Sequence, residues 1–240
     1  YAVGDNSTIR QKIWLGNDSM RLDFVTEVDW NETHRLLRVA FPTAISAETA
    51  ASEIQYGFVK RSTNDNTKWQ YAQFECAAHR YVDISRDDYG VALLNDCKYG
   101  YRAKGGALEL SLLRSPTDPD PIADKGLHQI TYSLLPHSGN LVRSDVRAHA
   151  AAINQGVEMF VGLAANGVEM PVSIASYDGV ELAVLKKAER GDALVVRVVE
   201  TRGMPSTGRL ACANAKAKMV PTDFIEWVDN SHEATTGSAE

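Results

Sequence analysis

Apolar and polar residues alternate with a period of two along most of the first 140 positions. Ile9, Gln11, Ile13 and Leu15 share one face of a first strand, and Gly16-Asn17-Asp18-Ser19 turns the chain. Strands over 22–30 and 35–41 follow, joined through Asn31-Glu32-Thr33-His34. Residues 46–52 fit a helical turn, 53–60 a strand, and 61–67 a polar loop. The alternation of Trp69, Tyr71 and Gln73 predicts another strand over 69–76. Val91 to Leu94 is a short apolar run ended by Asn95-Asp96, whose side chains bond nearby backbone in turns. Leu108, Leu110 and Leu112 alternate with Glu109 and Ser111, and Ile130, Tyr132 and Leu134 alternate with Thr131 and Ser133. Between these strands, Pro116-Thr117-Asp118-Pro119-Asp120-Pro121 cannot lie in a central strand, because each proline lacks the ladder N–H. Two polar, acid-bearing loops therefore hang from adjacent strands.

The period changes at 141–155, where Val142, Val146, His149, Ala150 and Ile153 fall at helical spacing and mark a domain boundary. Strands resume over 157–163, 172–175, 180–186 and 193–201, with shorter ones up to Trp227. The tail 231–240 is polar and is expected to fray. Many short strands with almost no helical periodicity predict an all-β, antiparallel, sandwich-type fold.

The 240 residues suffice for one large β domain or two small ones, and 44% hydrophobic with 23% charged residues is ordinary for a soluble globular chain. The net charge of -6 argues against nucleic acid and anionic membrane as partners, since both reward clustered Lys and Arg. No apolar run approaches the roughly 20 residues of a transmembrane helix. Cys76, Cys97 and Cys212 are odd in number and scattered, which suggests no disulfide framework and fits a reducing, cytoplasmic setting. The chain opens on Tyr1 and reaches strand-like sequence at once, so it reads as a piece of a longer protein.

Three runs in one order carry a resemblance: Leu93-Leu94-Asn95-Asp96-Cys97-Lys98-Tyr99-Gly100-Tyr101, then Leu110-Ser111-Leu112-Leu113-Arg114-Ser115-Pro116, then Pro119-Asp120-Pro121. With the weaker matches Asp23-Phe24, Asp29-Trp30 and Phe41-Pro42, the chain resembles the C-terminal β region of glycoside hydrolase family 38 α-mannosidases of the cytosolic and bacterial type. The resemblance implies an antiparallel β supersandwich (galactose-mutarotase-like) over 1–155, incomplete at its N-terminal side, then a small β-sandwich domain over 156–240. It also implies a retaining enzyme whose zinc ligands and nucleophilic Asp lie in an N-terminal α/β domain absent from this chain. No His-x-Asp or His-x-x-x-His cluster replaces them, so no catalytic residue and no metal site are expected here, and the chain alone should be inactive. The implied partners are that catalytic domain and a mannose-containing glycan; homo-oligomer formation is left open.

Asn95, Asp96, Lys98, Tyr99 and Tyr101 offer donors, acceptors and aromatic faces on one tight loop, a set suited to sugar hydroxyls and the apolar side of a hexose. In related mannosidases this loop reaches over the catalytic pocket, where more distant members place an Arg; the aligned position here is Cys97. The alternative is that Asn95-Asp96 only cap a turn. Arg114, Asp118, Asp120, Asp124, His128 and His137 form a second set, for which an Arg114 fork holding an acidic loop is the structural alternative. Trp30 is expected to pack in the core. Two rival functions stay open. A carbohydrate-binding module would need an exposed Trp69, Tyr71 and Tyr81 cluster. A mutarotase-like enzyme would need His79, His128 or His137 beside a Glu in a cleft.

Overall fold

In the computed structural model the described residues are 1–156, 159, 161, 170–176, 179–229, 235–236 and 238–239. The chain divides into two compact units, Tyr1–Val157 and Glu158–Glu240.

The first unit is built from β1 (Ala2–Val3), β2 (Ser7–Leu15), β3 (Leu22–Trp30), β4 (Leu36–Pro42), β5 (Thr49–Ile54) and β6 (Gly57–Ser62). A short helix α1 (Lys68–Ala72) and β7 (Cys76–Ala77) precede β8 (Tyr81–Ser85), β9 (Tyr89–Asn95), β10 (Gly100–Lys104), β11 (Ala107–Arg114) and β12 (Gly126–Ser138). Strands β1-β2-β3-β12-β9-β8-β5-β6 form one antiparallel sheet, and β4-β11-β10-β7 form a second. The even alternation of the sequence places Phe24, Val28, Trp30, Leu93, Leu108, Leu110, Ile130 and Tyr132 in one buried cluster with other core residues. Phe24 and Tyr132, paired across β3 and β12, stack with ring centroids 5.1 Å apart. Trp30 is buried and its indole N–H donates to Ser115 Oγ at 2.6 Å, so it is a packing residue.

The strands at the centre of the large sheet are apolar on both faces, because a further layer covers them. A 3₁₀ turn (Leu141–Arg143) and α2 (Val146–Asn154) place Leu141, Val146 and Ala150 on Tyr81, Ala92, Leu94 and Leu135. Ser144 interrupts the helix expected over 141–155: its hydroxyl bonds back to Leu141 O at 2.8 Å.

Three local expectations are overturned. Residues 69–76 do not form a strand; they begin with α1, because Thr67 and Gln70 make a reciprocal capping box (both bonds 3.1 Å) that outweighs the alternation of Trp69, Tyr71 and Gln73. Residues 46–52 do not turn helically but run into β5, and the strand expected over 53–60 is cut by a two-residue turn at Gln55-Tyr56.

In the second unit, β13 (Val172–Ser176), β14 (Val180–Lys187), β15 (Leu194–Glu200), β16 (Gly208–Cys212), β17 (Lys218–Met219), β18 (Thr235–Thr236) and β19 (Ser238–Ala239) form three small antiparallel sheets: β13-β16-β19, β14-β15 and β17-β18. The strand expected over 157–163 lies outside the described residues but for 159 and 161. The tail, expected to fray, pairs at 235–236 with β17 and at 238–239 with β16.

Candidate functional site

The loop between β9 and β10 is held by Asn95. Its side chain is buried (1% exposed), and all its hydrogen-bonding capacity is used inside the protein. The amide Nδ2 donates to His79 O at 3.1 Å and to the Tyr101 hydroxyl. Oδ1 accepts from the backbone N–H of Cys97 at 2.8 Å and from that of Lys98. This is an Asx-type closure that fixes the turn from beneath. Asn154 Nδ2, at the end of α2, donates to Asn95 O at 3.0 Å, so the helix pins the same point. The Asp96 carboxylate accepts from the Thr131 N–H at 3.1 and 3.2 Å, tying the loop to β12.

The five residues of the sequence-predicted set therefore divide. Tyr101 is 2% exposed and belongs to the core; burial pushes its hydroxyl far above the usual phenol range, and it stays neutral. Asn95 and Asp96 are spent on holding the loop. Tyr99 is 61% exposed, with the His79 ring edge-on at 6.0 Å, and Lys98 is half-buried. Lys98 and Tyr99 are thus the groups of this loop offered outward. Tyr99 and Tyr101 differ because β10 begins between them: Tyr101 faces inward from the ladder, opposite Leu110, and Tyr99 stands before it. Cys97 is exposed as a residue, yet partial burial of its thiol and the adjacent Asp96 push it up to about 12, so it is no thiolate nucleophile at neutral pH.

The second set is not one site. The Asp124 carboxylate accepts from the Arg114 backbone N–H at 2.8 Å, and His128 Nε2 bonds Asp124 O at 2.8 Å. Asp120 accepts from Ile122 N–H at 3.0 Å within its own turn. Among the described residues the Arg114 guanidinium makes no ion pair; the expected Arg114 fork is replaced by its main-chain amide. Arg114 and Asp118 instead line an open cleft of about 410 Å³ with His34, Arg35, Leu36 and Thr117. His137 lies at the opposite end of β12 from His128, nine strand positions away, or roughly 30 Å. There its Nε2 sits 2.7 Å from the buried Asp83 carboxylate, which also accepts from Ser85 Oγ at 2.6 Å. The ring packs so closely on Gly90 that a β-carbon there would lie 2.3 Å from His137 Cε1.

Two further expectations fail on placement. Tyr81 is fully buried, so Trp69, Tyr71 and Tyr81 form no exposed cluster; the exposed aromatics around α1 are Trp69, Tyr71 and Phe74. Among the described residues, no hydrogen bond or ion pair joins the ring of His79, His128 or His137 to a Glu carboxylate; the acid beside His137 is Asp83, and the Glu53 carboxylate is taken by Arg80. No group of three His, Cys, Asp or Glu among the described residues is arranged to hold a metal ion. These residues therefore do not fit a zinc centre.

The fold and this loop define an antiparallel β-sandwich module that presents a braced polar-aromatic turn. Residues 2–122 match the family described as "Glycosyl hydrolases family 38 C-terminal domain", and the chain belongs to that family. It is 41% identical over 214 residues to Alpha-mannosidase G of Dictyostelium discoideum, covering 84% of this chain and 19% of that protein. To Alpha-mannosidase 2C1 of Mus musculus it is 38% identical over 208 residues, again 84% of this chain and 20% of the relative. The chain thus spans about a fifth of the length of these curated relatives. A glycosyl hydrolase family 38 protein of Enterococcus faecalis shares the fold, with TM-score 0.74 and 20% identity over 93% of this chain and 27% of that one. No helix among the described residues is long and apolar enough to cross a membrane.

Proposed function

We propose that this chain is the non-catalytic β region of a retaining, zinc-dependent, cytoplasmic α-mannosidase, and that it packs on an N-terminal catalytic domain and lends its 95–101 loop to the sugar site. The observation that carries the loop's role is the division of labour at Asn95. The buried amide fixes the backbone that carries Lys98 and Tyr99, so binding has to order only their side chains, which lowers the entropic cost of recognition. The Tyr99 ring offers a face to the apolar side of a hexose, and the Lys98 ammonium donates to hydroxyl oxygens. Zinc and the two carboxylates of retaining glycoside hydrolysis belong to the catalytic domain in this reading. The three free cysteines suit a reducing compartment.

The test is α-mannoside hydrolysis by residues 1–240 and by the longer protein. Only the longer protein is expected to turn over. In it, Tyr99→Ala and Lys98→Ala are expected to lower kcat/KM by about tenfold each, the scale of one lost contact of about 1.4 kcal/mol. Turnover by residues 1–240 alone would overturn the reading.

A second reading has one observation in its favour. Trp69, Tyr71 and Phe74 are 76%, 64% and 64% exposed and fall within six residues of one another, with the Tyr71 and Phe74 ring centroids 5.8 Å apart. A glycan platform there predicts mannan binding that Trp69→Ala abolishes.

A further inference from the structure

Among the described residues, strand β2 has an open edge beyond Ile9. Its partner β1 supplies two residue pairs, Ala2 with Thr8 and Val3 with Ser7. One more pair of bonds joins Tyr1 to Ile9, amine to carbonyl at 2.8 Å and amide to carbonyl at 2.9 Å. In an antiparallel ladder alternate residues face the same neighbour, so the amides and carbonyls of Gln11, Ile13 and Leu15 point the same way as those of Ile9. Among the described residues they meet no partner. β2 pairs with β3 without a register shift through Leu15. Over Ile13-Trp14-Leu15 the edge carries no charge, proline or bulge of the kind that guards natural edges. Instead the three side chains are 60%, 68% and 60% exposed, Ile13 and Leu15 on the core face and Trp14 on the other.

The turn before this edge is unusually well fixed for so short a strand. The buried Glu32 carboxylate accepts from Asp5 N–H at 3.0 Å, Asn6 N–H at 2.9 Å and Ser7 Oγ at 3.0 Å. Gly4 has φ +65°, and a β-carbon there would lie 2.5 Å from that carboxylate. A braced hairpin turn thus aims β1 along β2, in register, toward the exposed residues.

We propose that β1 continues backward: the polypeptide preceding Tyr1 in the longer protein runs antiparallel along β2 and covers Arg10 to Leu15. This rests on the reading of the chain as the C-terminal part of a longer polypeptide. Each step back from Tyr1 is one step forward along β2. The second, fourth and sixth residues before Tyr1 therefore face Gln11, Ile13 and Leu15 and bond to them. Those three positions must carry an N–H, so none is proline. The fourth and sixth are apolar, since they share the core face with Ile13 and Leu15.

Hydrogen exchange on the longer protein tests this, read at single amides by fragmentation mass spectrometry. The amides of Ile13 and Leu15 are expected to exchange at least 100-fold more slowly than an unstructured peptide, at every protein concentration. Exchange near the unstructured rate would overturn the proposal. So would protection that appears only as concentration rises, which would make a second copy the occupant. Ile13→Pro gives an independent reading. If the edge is free, Pro there removes no bond and leaves Tm unchanged; if the edge is covered, Tm is expected to fall by roughly 2–4 °C. Protected amides in a protein without mannosidase activity would sink the functional reading and keep the strand. Activity with unprotected amides would do the reverse.

Discussion

Two clusters of buried polar side chains sit at opposite ends of the strands β8, β9 and β12, and they do opposite things. At one end Asp83, Ser85 and His137 bond to each other under the 3₁₀ turn, with Gly90 leaving room for the imidazole. That cluster bonds internally and to the Leu141 amide, which donates to Ser85 Oγ at 3.3 Å. At the other end Asn95 bonds to Tyr101, His79 O and two loop amides, and its satisfaction holds a loop open, with Tyr99 and Lys98 facing out. Burial of polar groups demands partners at both ends; at the Asn95 end the partners include two amides of a turn that carries the exposed Tyr99. A buried polar cluster is thus no site by itself. Both clusters hold a backbone turn; what distinguishes them is the exposed Tyr99 on the turn that Asn95 closes.

Perturbations of the two ends should separate stability from sugar recognition. The largest stability loss is expected from Asn95→Ala, about 2–4 kcal/mol, because it strands the Tyr101 hydroxyl and two loop amides together. A denaturant melt reads it, and sugar turnover in the longer protein falls with it. Asp83→Ala should cost about 2–3 kcal/mol in the same melt, since it removes the acceptor of the Ser85 hydroxyl and the partner of His137 Nε2, but it should leave KM unchanged. A raised KM would mean that the closed cluster also reaches the site. Tyr101→Phe keeps the packing and removes one bond to Asn95, for about 1 kcal/mol.

Alkaline pH should act on the same core. Burial pushes the hydroxyls of Tyr81, to about 12, and of Tyr101 upward from 10. Folded-state values raised above the unfolded ones mean stability that is complete below pH 10 and falls as pH rises beyond it, because the unfolded chain ionises first. Denaturation midpoints at pH 9, 10 and 11 should show a decline that is steeper in the upper interval, and Tyr101→Phe should reduce it. The smallest stability effect is expected for Tyr99→Ala, under about 0.5 kcal/mol, since the ring is exposed.

Much of the fold was legible from the apolar pattern alone, because β3, β11 and β12 alternate regularly and β9 is a continuous apolar run covered on both faces. The Asn95-Asp96 turn was legible too, since those side chains have few other uses at a strand end. The alternation over 69–76 is short, and the Thr67–Gln70 capping box that overlaps it sets a helical turn instead. Tyr101 was placed with Tyr99 because the start of β10 is invisible in the sequence. The Asp83–His137 contact spans 54 residues, and no local pattern announces it; the glycine at Gly90 inside an apolar strand was the only trace. Cross-strand ion pairs such as Arg38 with Glu109 (2.8 Å) and Arg102 with Glu109 (2.6 Å) become readable only once the register of β4, β10 and β11 is known.

The most direct test of the account is kcat/KM for an α-mannoside in the longer protein carrying Tyr99→Ala, measured beside its melting temperature. The account predicts a fall of about tenfold in kcat/KM with an unchanged Tm. Unchanged kcat/KM would show that the braced loop between β9 and β10 does not touch the sugar.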